Sequence, residues 1–190
     1  MVNTLLASVA AAGLLLSAPA FAAVISFQGN FSGSQQVPPN GSPAIGTASL
    51  VADTVAQTLT VTESFSGLTS PSAAGHIHAG APGVNGPVII PFSTFPTGVT
   101  SGTFSGVFTA ADLINQGTSG ISTFSSLLTT LQAGGAYLNI HSSTLPNGEI
   151  RAAVVAASVP EPVALSIMGA ALAGLGLVRG GRSRSARTAR

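Results

Sequence analysis

The sequence predicts a mainly β protein: an antiparallel β-sandwich with a short helical crossover, flanked by two hydrophobic terminal helices. Three observations carry this reading. The middle of the 190-residue chain is rich in Ser, Thr, Gly, Val, Ile and Phe, residues that suit strands and turns. Apolar and polar residues alternate there over short runs. Turn-forming clusters rich in Pro, Gly, Ser and Asn separate those runs.

The elements follow in order. "VISFQGNF" (24–31) opens with alternation and reads as the first strand. "GTASLVAD" (46–53) and "QTLTVTESFSGL" (57–68) have period two. In the second of these, Leu59, Val61 and Glu63 share one face, and Thr58, Thr60 and Thr62 the other. "GHIHA", "PVII", "SGTFSGVFT", "AYLNIH" and "GEIRAAVVA" supply the later strands. "PPNGSP", "SPSAAG", "VNGP", "PTG" and "PNG" supply turns between them. The helical interruption has two pieces. "TAADLINQ" (109–116) offers Thr109 as an N-cap, and "STFSSLLTTLQAGG" (122–135) ends at Gly134-Gly135. Phe124, Leu127, Leu128 and Leu131 form an apolar stripe suited to packing on the sandwich. Seven or eight short strands with one crossover point to an antiparallel sandwich of immunoglobulin-like or related topology.

The two ends read as addresses. Residues 1–22 hold an apolar run, Leu5–Leu16, before Ala20-Phe21-Ala22, the small-x-small site of a secretory signal peptide. No Lys or Arg precedes the run. At the other end, residues 159–190 place Pro160-Glu161-Pro162 before an apolar segment, 163–178, and then an arginine-rich tail. The segment suits a transmembrane helix with its basic end held in the cytoplasm. This tail resembles the PEP-CTERM sorting signal of Gram-negative bacteria. The resemblance implies transient membrane anchoring, cleavage near Pro160-Glu161-Pro162 by an exosortase, and delivery to the envelope or the exterior. Residues 23–158 remain as one domain.

Composition excludes several functions. Only 6% of residues are charged, and Cys, Lys and Trp are absent. Without cysteine there is no disulfide, iron–sulfur cluster or thiolate zinc site. Between the two terminal segments, Asp53, Glu63, Asp112 and Glu149 face a single Arg151, a net charge of −3. No basic face exists to hold a nucleic-acid backbone. No nucleophile elbow or phosphate-binding glycine loop occurs, and no catalytic residue is assigned.

The chain has three histidines: His76 and His78 in "AAGHIHAGAPGVNGP", and His141 in "YLNIHSSTLPNGEIRAAV". Alternation puts Ile77 in the core and His76 and His78 on the opposite face, about 7 Å apart at Cα. The same logic turns Leu138 and Ile140 inward, and Tyr137, Asn139 and His141 outward. If the two strands are neighbours, the three imidazoles converge. Three nitrogens without sulfur suit Cu(II) or Zn(II) with one position open, with Asn139 and Glu149 in support. The alternative is that His76 or His78 pins the "AGAPGVNGP" loop through its backbone carbonyls, and His141 the "SSTLPNG" loop. Glu149 and Arg151 share a strand face and read as a surface pair.

The segments "GLTSPSAAGHIHAGAPGVNGPVI", "SGTFSGVFTAADL" and "AYLNIHSSTLPNGEIRAAV" resemble the CHRD domain over roughly residues 25–156. The resemblance implies a β-sandwich module of exported proteins with no established catalytic residues. "SFSGLTSPSAAGHIHAG" and "YLNIHS" are also similar to two strands of copper/zinc superoxide dismutase. That similarity implies His76, His78 and His141 at copper-ligand positions. The fourth, bridging histidine, the zinc cluster and the paired cysteines of that family have no counterpart. Two functions follow as expectations. One is a non-enzymatic module contacting extracellular polysaccharide, itself or surface proteins. The other is a copper or zinc protein.

Overall fold

The computed structural model describes residues 24–157. The signal segment with Ala20 and Ala22, and the tail with Pro160, Glu161, Pro162 and segment 163–178, lie outside the described residues. Among those described, no helix is long and apolar enough to cross a membrane.

Nine strands form: β1 (Val24–Ser32), β2 (Ile45–Asp53), β3 (Thr58–Ser66), β4 (Ser72–Ala79), β5 (Val88–Pro91), β6 (Gly102–Phe108), β7 (Ala136–Ser142), β8 (Ile150–Ala153) and β9 (Val155–Ala156). They make one continuous sheet in the order β5-β4-β7-β8-β1-β2-β3-β6, with β9 pairing β1. Every pairing is antiparallel. The mainly antiparallel β architecture is therefore as expected. Its sheet curves nearly into closure around one core.

Period-two alternation builds that core. Phe27 and Phe31 of β1, Leu50 of β2, Leu59 and Val61 of β3, Ile77 of β4, and Leu138 and Ile140 of β7 all point inward and are buried. Each such side chain contributes about 1.5–3 kcal/mol by leaving water. One inward position breaks the rule. Glu63 stands between Ala48 on β2 and Phe104 on β6. It is 2% exposed, and neither carboxylate oxygen has a partner.

The helical crossover connects edge strand β6 to β7. Thr109 caps a 3-10 turn over Ala110–Asp112 through a reciprocal capping box. Two helices follow, α1 (Gln116–Ser119) and α2 (Phe124–Gln132). Thr123 caps α2, with its side chain accepting from the Ser126 amide. Phe124, Leu127 and Leu131 of α2 enter the core, and Leu128 packs against it. The expected stripe thus faces the sheet. The first piece folds as a 3-10 turn and then irregular backbone rather than a helix, with α1 starting only at its last residue, Gln116. Leu113 turns into the core there, and Asn115 takes a left-handed conformation (φ 54°) that breaks the run. Beside it, the Ile114 amide bonds the Ile89 carbonyl and so covers part of edge strand β5.

Candidate metal centre

Strands β4 and β7 are direct neighbours. His76 pairs with Asn139, His78 with Tyr137, and Ala74 with His141. The adjacency that the histidine reading needed is therefore present. One potential ligand atom from each of His76, His78 and His141 lies within 4.8 Å of the other two. The ring centroids of His76 and His141 are 5.0 Å apart, and those of His76 and His78 are 5.7 Å apart.

The hydrogen bonds fix the proton on each ring, because a carbonyl can only accept. His78 Nδ1 donates to the Gly86 carbonyl at 3.0 Å. His141 Nδ1 donates to the Pro146 carbonyl at 2.8 Å. A neutral ring at either position therefore leaves its Nε2 unprotonated. His141 Nε2 accepts from His76 Nδ1 at 3.2 Å. His78 Nε2 is buried and has no partner at all. Such carbonyl contacts behind an imidazole are what orients a metal-binding histidine.

Electrostatics keep the rings ready to bind. Burial, with added repulsion from His141 and His78, lowers His76 from 6.5 to about 4. Burial also lowers His78, against the raising effect of its Gly86 bond and with help from the charges of His141 and Arg151. Both are neutral at pH 7, as metal ligands must be. Two donors ~2.1 Å from one tetrahedral ion sit ~3.4 Å apart. The widest separation, up to 4.8 Å, must therefore close by roughly 1.4 Å on binding, through side-chain rotation.

The surroundings correct the expectation of a solvent-facing site. The face opposite the core is roofed by the 80–87 and 33–40 loops. His78 is 8% exposed, and Tyr137, Asn139 and Arg151 beside it are buried. Arg151 and Glu149 form no surface pair. The Arg151 guanidinium lies 3.4 Å over the Tyr137 ring. It donates to the Val84 carbonyl at 2.9 Å, the Ala81 carbonyl at 3.1 Å and Asn85 Oδ1 at 3.4 Å. Tyr137 in turn stacks on His78, with centroids 4.8 Å apart and planes 12° apart. Its hydroxyl accepts from the Gly86 amide. Arginine, tyrosine and histidine thus form one stack under the 80–87 loop.

Glu149 does not support the histidines. Its Oε1 accepts from Ser42 Oγ and the Thr69 amide, both at 2.7 Å. Burial would raise its carboxyl, but the nearby Ser142 hydroxyl and the bonds from Thr69 and Ser42 outweigh that and hold it below its ordinary value. Asn139 does stand beside the cluster, and its Oδ1 accepts from Gln36 Nε2 at 2.6 Å. The loop carbonyls that the sequence offered to His78 and His141 are those of Gly86 and Pro146, but sequence reasoning missed the stack. Its available signal was Tyr137, the only tyrosine, and Arg151, a lone arginine in an otherwise apolar strand.

No curated protein and no solved structure matches the chain. The profile of the CHRD domain matches residues 27–154, which span β1 to β8 and include all three histidines. By that match, covering well over half of its length, the chain belongs to the CHRD domain family.

Proposed function

We propose that this CHRD module binds one Cu(II) or Zn(II) ion through His76, His78 and His141. One observation carries the reading. Three imidazoles converge, and two of them are held from behind by carbonyls so that each turns its Nε2 toward the cluster. The buried, unpartnered Nε2 of His78 is otherwise a cost of about 1–3 kcal/mol with nothing to offset it. A bound ion would satisfy it. We place the module outside the cell, exported by its signal segment and processed by an exosortase at Pro160-Glu161-Pro162. The order of sequence features at the two ends supports that placement.

A second reading has its own support. The bonds from His78 to Gly86 and from His141 to Pro146 also staple two loops to the sheet. On that reading the histidines are structural, and the module contacts matrix polysaccharide or surface proteins. Electron paramagnetic resonance of the full chain with one equivalent of Cu(II) separates the two. The metal reading predicts one bound species with three imidazole nitrogens. A spectrum of unbound or surface-scattered copper supports loop stapling alone.

A further inference from the structure

We infer that the loaded centre is a receptor for a small monoanion, and that Arg151 sets its charge. This rests on the metal reading above and adds the class of ligand that completes the site. The first observation is the donor set. Its three members are imidazoles, which bring an ion no negative charge, and among the described residues no carboxylate joins the cluster. Glu149, close to His141 in sequence, is committed to Ser42 and Thr69. A divalent ion there keeps its full double charge in half-buried surroundings, which disfavour an uncompensated ion. Three donors also leave a four-coordinate ion one open position.

The second observation is Arg151, 1% exposed and, among the described residues, without an acidic partner. A buried cation normally has a counter-charge. Here the guanidinium is held by two carbonyls, an amide oxygen and the face of Tyr137. It reaches Tyr137 from β8, while His78 reaches it from β4, on the other side of β7. The stack therefore places a permanent positive charge behind His78. Ion and guanidinium together raise the potential at the open position. The fitting occupant is a small anion with an oxygen or nitrogen donor, such as hydroxide, a carboxylate or an inorganic monoanion. Arg151 acts through Tyr137 and His78 and is a positioning residue.

The test uses the copper-loaded full chain and two probes of similar donor type, azide and neutral imidazole. Wild type is expected to bind azide with a new charge-transfer band and a shifted resonance spectrum. R151Q should weaken azide roughly three- to tenfold and leave imidazole within about twofold, and R151K should restore azide. Bound copper whose spectrum azide does not move overturns the anion inference and leaves the metal reading standing. Equal losses of azide and imidazole in R151Q overturn the role of Arg151. A chain that binds no copper overturns both readings. Should R151Q not fold, R151M, which keeps an unbranched apolar stem against Tyr137 and removes the charge, takes its place. Azide affinity falling while imidazole affinity holds supports the role of Arg151, and equal responses overturn it.

Discussion

Glu63→Gln is expected to be more stable than wild type at neutral and alkaline pH, by on the order of 3 kcal/mol at pH 7, and close to wild type at pH 4. The cause is the buried acid between Ala48 and Phe104. Burial raises its pKa from 4.5 to about 8, and no partner offsets the cost of charging it. At pH 7 the folded chain keeps the proton, whereas the unfolded chain has lost it. Folding must then take a proton up, so wild-type stability falls as pH rises from about 4.5 toward 8. Glutamine has nearly the same shape and comparable needs for hydrogen bonds, but it does not ionise. Subtracting the two curves isolates the titration of one group. Urea unfolding of both chains at pH 4, 7 and 8 measures it. Curves that stay parallel across that range would show that the Glu63 carboxyl is solvated or paired in the folded protein.

Gly86→Ala should damage the metal centre far more than the sheet. Gly86 sits in the loop over the histidines, and both its backbone groups serve them. Its carbonyl holds His78 Nδ1, and its amide donates to the Tyr137 hydroxyl. A methyl group on Gly86 would collide with the Ala79 carbonyl at the end of β4. The loop must then lift, because that carbonyl belongs to the strand backbone. Lifting it frees the His78 ring and removes the Val84 and Ala81 carbonyls from Arg151. Loss of such an orienting contact typically costs 10–100-fold in metal affinity. We expect that loss for zinc or copper, with far-ultraviolet circular dichroism unchanged because Gly86 takes part in no strand pairing. An affinity equal to wild type would mean that the loop does not orient the ligands.

Much of this was readable before the fold was known, because strand alternation is a local property. It sorted Ile77, Leu138 and Ile140 from the histidines, and it placed Glu63 on the same face as Leu59 and Val61. Local rules also identified Thr109 as a cap and the stripe on α2. What alternation cannot say is what lies above a face. The side of β4 and β7 opposite the core was expected to meet solvent. Instead the glycine- and proline-rich 80–87 segment folds back over it, which buries Tyr137 and Arg151. That cover depends on contacts between residues 66 to 70 positions apart, such as Arg151 with Ala81, Val84 and Asn85. No window of sequence contains both partners. The same holds for Glu149, whose partners Ser42 and Thr69 come from distant loops rather than from its neighbour Arg151.

The central claim is that three imidazoles act as one site, and its most direct measurement is metal stoichiometry by titration calorimetry. The full chain would be titrated with Zn(II) and then Cu(II), beside the His76→Ala/His78→Ala double variant and His141→Ala. One ion per wild-type chain, with tight binding lost in both variants while both remain folded, is the predicted result. Wild type that takes up no ion, or variants that bind as wild type does, would contradict the account and leave the histidines as staples for two loops.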